Sequence, residues 1–256
     1  MKGAHLYTQV NNLSTHAWVV GNGPPLVLVP GLGCAFWMYL EFAQRISHGR
    51  TVYVYDPPGH GYSAAGKRYP ASIYHLTDHL AEWLQINRLE AAPLLGHSLG
   101  GEVIFDLAGR LGFPAAALVA CAPTGVPENP RVLLQLWRLL QDLPRENLRL
   151  IGLGLRAYWH CSLLRIVRLA KSQSRHVIGT ALPQIKAPVL LLSGTRDPVV
   201  HPWTLEVIRQ QIPGAVIREI PGGTHALTDS HPADVVAHVL DFLDKLQVDQ
   251  VRGPRI

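Results

Sequence analysis

The chain has 256 residues, 48% hydrophobic and 16% charged, enough to bury one sizeable core and too apolar for a disordered protein. Its 23 glycines and 20 prolines suit a compact enzyme with many tight turns and exclude a coiled coil. The net charge of +5 is unevenly placed. Residues 124–182 hold nine Lys and Arg against three acids, and the first expectation for these cations is solvated side chains on amphipathic helices.

In chain order, Leu6 to Val10 and Thr15 to Val20 alternate as two strands about an Asn11-Asn12 turn, and Gly21 to Pro25 breaks the pattern before the apolar run Leu26 to Val29. Short β-rich runs then follow at Val52 to Tyr55, Ala91 to Leu95, Ala116 to Cys121, Val189 to Ser193 and Ala215 to Ile220, with helical stretches at about 35–48, 72–87, 99–112, 203–211 and 232–247. Continuous apolar strands separated by helices predict a mostly parallel sheet covered on both faces. Between Pro123 and Pro183 the alternation stops. Three helical stretches, near 129–142, 145–156 and 159–173, are expected there, parted by Pro144 and Tyr158. An all-helical insertion of this kind reads as a cap (124–182) over the sheet's carboxyl edge, with 1–123 and 183–256 as the core.

No apolar stretch in the first 20 residues resembles a secretory signal, and no run approaches the ~18 apolar residues of a membrane span. Cys34, Cys121 and Cys161 are an odd count without ligand spacing, so neither a disulfide framework nor a metal site is expected. A soluble, cytoplasmic protein follows. There is no phosphate-loop motif, Gly31-Leu32-Gly33 lacks the third glycine of a dinucleotide fingerprint, and no His-Glu-x-x-His occurs. No cofactor and no nucleic-acid partner are therefore expected.

The strongest local pattern is Gly96-His97-Ser98-Leu99-Gly100, followed by Gly101, set between a strand-like and a helix-like run. A sharp strand-to-helix turn would project Ser98 over the sheet edge, with the Leu99 N–H at the helix start facing the same spot. A serine needs a base, and the base needs an orienting acid. Asp197, in Ser193-Gly194-Thr195-Arg196-Asp197-Pro198, and His225, in Gly222-Gly223-Thr224-His225, both follow strands and complete the order Ser, acid, His. His97, His60 and His231 are the competing histidines. Glu128 is the competing acid.

With these residues the chain resembles the α/β-hydrolase superfamily over nearly its whole length. Asp56-Pro57-Pro58-Gly59-His60-Gly61-Tyr62-Ser63 is similar to the family's Asp-x-Pro-Gly-His-Gly-x-Ser turn, and Pro30 to Gly33 takes the place of its His-Gly oxyanion loop, with Pro30 where the histidine is usual. The resemblance implies an eight-stranded sheet, an oxyanion hole from the N–H groups of Leu32 and Leu99, and a serine hydrolase acting on a small-molecule ester. A carboxylesterase is the first expectation; a C–C bond hydrolase or lactonase is the alternative, and a non-catalytic ligand-binding member the second. Asp56 and His60 are expected to shape a structural turn, His97 to pack around the serine, and Cys34 to serve as a small buried hydrophobe. Leu133, Leu136, Trp137, Leu140, Leu153, Trp159 and Leu163 are expected to be mostly core between cap and sheet, while the cap's mixture of basic and apolar residues also admits peripheral membrane contact.

Overall fold

The computed structural model describes residues 2–66, 71–126 and 132–252. Strands β1 (Ala4–Val10) and β2 (Leu13–Val20) pair antiparallel about Asn11 and Asn12, both at positive φ, 49° and 61°, as a two-residue hairpin turn requires. Strands β3 (Pro25–Val29), β4 (Thr51–Tyr55), β5 (Leu94–His97), β6 (Leu118–Cys121), β7 (Val189–Gly194) and β8 (Val216–Ile220) complete one sheet in the order β1-β2-β4-β3-β5-β6-β7-β8. Strand β2 also meets β4 antiparallel, and every later pairing is parallel. Strands β5, β6 and β7 are buried along their whole length, which is why they read as continuous apolar runs rather than alternating ones.

The chain passes from β3 to β4 on one side and then returns to place β5 on the other side of β3. The carboxyl ends of β3 and β5 therefore flank the point where strand order reverses, the usual ligand crevice of an open α/β sheet.

The first helical stretch is shorter than the sequence suggests. A single 3-10 turn, Phe36–Met38, precedes α1 (Leu40–Ile46), because Tyr39 leaves the helical region at φ −113°, ψ 6°. Helix α2 (Ile73–Ile86) is capped by Ser72, whose hydroxyl accepts from the His75 N–H. Helix α3 (Leu99–Arg110) follows β5 directly. Among the described residues three α-helices lie between β6 and β7: α4 (Val132–Asp142), α5 (Leu148–Cys161) and α6 (Leu163–Gln173). Pro144 falls in a 3-10 turn between α4 and α5, as its fixed φ favours. Tyr158 parts nothing; it lies within α5, and the break falls at Ser162, whose φ of 68° is incompatible with a continued helix. Helices α7 (Pro202–Gln211), α8 (Leu227–Ser230) and α9 (Pro232–Arg252) complete the chain, and both α7 and α9 start on a proline at the first position. Among the described residues no helix is long and apolar enough to cross a membrane.

Candidate active site

Strand β5 enters α3 through a turn in which Ser98 takes φ 53°, ψ −117°, a backbone region that costs a residue with a side chain about 1–3 kcal/mol. Its neighbours have no room for a side chain: a Cβ on Gly96 would strike the Gly100 carbonyl, and one on Gly100 the Val29 carbonyl. The strain lifts Ser98 to the sheet edge.

Asp197 and His225 lie in the loops after β7 and β8, at the same edge. His225 Nε2 stands 3.0 Å from Ser98 Oγ, and His225 Nδ1 stands 2.9 Å from Asp197 Oδ2. An ionised carboxylate only accepts, so Nδ1 carries the proton and Nε2 is left to accept from the serine hydroxyl. The other Asp197 oxygen, Oδ1, takes the N–H groups of Val199 and Val200 at 2.7 and 3.0 Å. Burial works against the Asp197 carboxylate, but His225 and these two donors outweigh it and hold its pKa below the usual aspartate value. Burial likewise disfavours a charged His225, yet Asp197 leaves its pKa above the ordinary histidine value.

In the loop after β3, Gly31 N–H donates to Tyr39 Oη at 3.0 Å, Gly33 N–H to His60 Nε2 at 3.2 Å, and Cys34 N–H to the Gly31 carbonyl at 3.1 Å. The Leu32 N–H has no acceptor among the described residues, and neither has the Leu99 N–H in the first turn of α3. Both lie beside the serine. Leu99 follows it in the chain, and a Cβ added to Gly31 would stand 3.3 Å from Ser98 Cβ. Two unengaged donors here can receive an oxyanion.

Pro30 leaves this loop well braced. Asp56 Oδ1 accepts from Phe36 N–H at 2.9 Å while Oδ2 accepts from Tyr62 N–H at 3.0 Å and from His16 Nδ1 at 2.7 Å. Asp56 and His60 thus shape their own turn and also anchor the loop that carries Leu32. Burial pushes His60 down to about 4, so it stays neutral and accepts from Gly33.

His97 packs against the turn at Ser98 and does more than fill space. Its Nε2 stands 2.9 Å from the His225 carbonyl and its Nδ1 2.9 Å from Tyr39 Oη. A carbonyl only accepts, so the chain runs Gly31 N–H to Tyr39 O–H to His97 Nδ1, and His97 Nε2–H to the His225 carbonyl. Burial, reinforced by His225, pushes His97 down to about 4, which fits this neutral relay.

A family model described as the alpha/beta hydrolase family matches residues 26–239. The chain belongs to the alpha/beta hydrolase family. Pimeloyl-[acyl-carrier protein] methyl ester esterase of Stenotrophomonas maltophilia (strain K279a) is 26% identical, covering 90% of this chain and 97% of the relative. The magnesium-chelatase 30 kDa subunit of Rhodobacter capsulatus is also 26% identical, covering 89% and 90%. A membrane phospholipase A crystal structure, 22% identical, superposes with a TM-score of 0.84 over 96% of this chain and 87% of that one.

In this hydrolase a cleft of about 250 Å³ opens above Ser98 and His225. Leu32, Thr124, Tyr158, Gln173 and Trp203 contribute to its walls, and Arg138 reaches it from α4. Arg138 donates to the Val199 carbonyl at 3.4 Å and makes no ion pair among the described residues. Cys34 also lines the cleft, half-buried, and burial pushes its thiol up to about 11, which keeps it unreactive. The roles of Tyr39, Gln173 and Arg138 at this site are not legible in the sequence, because a single residue in a helix or at a helix boundary carries no motif. His231 lies outside this arrangement, bonded to Ser230 Oγ at 3.1 Å. Glu128 falls outside the described residues. Among the described residues no group of three or more His, Cys, Asp or Glu could hold a metal ion.

One expectation is overturned. Leu133, Leu136, Trp137, Leu140, Trp159 and Leu163 are exposed rather than core, and of the group only Leu153 packs against the core. Helices α5 and α6 bury their opposite faces, through Leu150, Ala157 and Cys161 of α5 and Leu169 and Ala170 of α6, whereas on α4 only Asp142 is buried.

Proposed function

We propose that the chain hydrolyses carboxylic esters through an acyl-enzyme on Ser98. His225 removes the Ser98 proton as the hydroxyl attacks the ester carbonyl, and the N–H groups of Leu32 and Leu99 receive the oxyanion. His225 then gives that proton to the departing alkoxide, and a water activated by the same imidazole releases the acid. Asp197 holds the tautomer. Residues 124–182 act as a cap that completes the cleft over a core of 1–123 and 183–256. The single observation that carries this reading is the hydrogen-bonded line Ser98 Oγ, His225, Asp197 beside two backbone donors with no acceptor among the described residues. The name of the Stenotrophomonas relative, a methyl ester esterase, supports the ester class.

Hydrolysis of a p-nitrophenyl ester ladder of increasing acyl length, with Ser98→Ala alongside, tests the proposal. Turnover with a length optimum, lowered about 10⁴- to 10⁶-fold in the variant, is the expected result. Turnover unchanged in Ser98→Ala removes the assignment. No turnover on any ester turns the search to lactones and C–C substrates, or to a ligand-binding role. Arg138 favours one refinement: a guanidinium at the cleft with no ion pair among the described residues suits a substrate that bears a carboxylate as well as the scissile group.

A further inference from the structure

The helices between β6 and β7 are inverted in their outer chemistry. On α4, Leu133, Leu136, Trp137 and Leu140 recur at helical spacing and all face solvent, with Leu133 81% exposed. On α5, Leu148, Gly152, Leu155 and Trp159 form an exposed strip beside the exposed Arg149, Arg156 and His160, and Leu148 and Trp159 are 86% and 87% exposed. On α6, Leu163, Leu164 and Val167 repeat the pattern. Globular surfaces rarely leave apolar side chains in such numbers uncovered. Something covers them.

The charges beside these stripes identify what. Arg149 and Arg156 each follow an outward leucine of α5 but engage the core, Arg149 pairing with Glu41 at 3.5 Å and Arg156 lying over the Trp37 ring and donating to Tyr62 Oη, while Arg168 and Lys171 extend the outer face of α6; all four are exposed. The carboxylates of α4 to α6 and their links are Asp142, buried, and Glu146, half-buried, so the exposed charge on this stretch is positive. Leucine and tryptophan on one strip with arginine and lysine at its margin is the composition of a helix lying in the headgroup region of an anionic bilayer.

We propose that the outer faces of α4, α5 and α6 dock the protein onto an anionic lipid surface, with Trp137 and Trp159 at the headgroup level and Arg168 and Lys171 on phosphate. A cleft that opens beneath the same helices would then take its substrate close to the membrane.

The test is co-sedimentation of the full chain with phosphatidylcholine vesicles and with vesicles of phosphatidylcholine and phosphatidylglycerol mixed roughly three to one, with tryptophan emission followed in parallel. The anionic vesicles should bind on the order of tenfold or more tightly, with a blue shift, and binding should weaken as salt is raised. The double variant Leu155→Ser, Trp159→Ser alters exposed side chains only. With an unchanged circular-dichroism spectrum and melting temperature, it should lose most of the binding and of the blue shift. Equal binding to both vesicles, no binding, or binding undisturbed by the double variant overturns the proposal. A dimer in sedimentation equilibrium that the double variant dissolves, without vesicle binding, makes the face a self-association surface. Capture of an acidic protein with no vesicle binding gives it a protein partner.

Discussion

Ser98 sits in a conformation that its neighbours impose, and its proton has one acceptor, His225 Nε2. His225 works as a base only when neutral. Its pKa lies above the ordinary 6.5, so kcat/KM should rise with pH through a limb on the alkaline side of that value. In Asp197→Asn the balancing charge is gone and burial prevails, so the limb should move to lower pH while kcat falls by about 10⁴, by analogy with a serine protease. A pH–rate profile of both proteins measures this, and an unmoved limb would assign the titration to another group. Tyr39 is the second residue whose role is local and testable. Tyr39→Phe removes the acceptor of Gly31 N–H and the donor to His97 Nδ1 together. Two buried partners lose their bonds, so the expected cost is about 2–6 kcal/mol of stability from roughly 1–3 per unsatisfied group, read from urea midpoints. Because Gly31 carries the loop of Leu32, kcat should fall more than KM rises, whereas a purely structural role would leave both unchanged per folded molecule.

At the scale of elements, both ends of the helical insertion close on one carboxylate of α3. Glu102 Oε2 accepts from Thr124 Oγ1 at 3.2 Å and from Gln173 Nε2 at 3.0 Å, while Oε1 meets His176 Nδ1 at 2.6 Å. Thr124 precedes α4, and Gln173 and His176 end the insertion, so Glu102 ties its two stems to the helix that starts at Ser98. Burial opposes a charge on His176, but Asp106 and Glu102 raise its pKa to about 9. A raised pKa means that His176 contributes its full stabilisation below pH 6.5, and that this is lost as pH rises from 6.5 through 9. Glu102→Gln should therefore destabilise by about 3–5 kcal/mol at pH 6.5 and show a flatter decline across that window, measured as urea midpoints at several pH values. None of this clamp was legible in the sequence, because Glu102 and His176 lie 74 positions apart and no spacing rule joins them. The strands, the turn at Ser98 and the order of Asp197 and His225 were legible, since each rests on local periodicity or glycine sterics. The break between α5 and α6 was misplaced at Tyr158 because tyrosine carries no helix-stop signal, and neither does Ser162, whose positive φ appears only once the chain is packed. The outward apolar stripes were misassigned for a related reason: helical periodicity locates an apolar face and cannot say whether another element covers it.

Across the whole molecule, residues 124–182 carry the excess of positive charge and the rest of the chain is close to neutral; Arg138, Arg149, Arg156, Arg165, Arg168 and Lys171 lie on α4 to α6. Such a field concentrates anionic substrates at the entrance and is screened over about 10 Å at 0.1 M salt. Arg138 lines the cleft itself, so its interaction with a charge bound there would be screened much less. The two effects separate in one experiment on a pair of esters of equal length, one ending in a methyl group and one in a carboxylate. For the carboxylate ester kcat/KM should fall as ionic strength rises, and for the methyl ester it should stay level. Arg138→Gln should raise KM for the carboxylate ester by about 10-fold, the loss of one charge-assisted hydrogen-bonding partner at roughly 1.5 kcal/mol. The same variant should leave the slope against salt nearly unchanged, because the remaining cations of the insertion still supply the long-range field. If the slope vanished with Arg138, the steering would belong to that one side chain and the charge asymmetry of the chain would have no part in substrate capture.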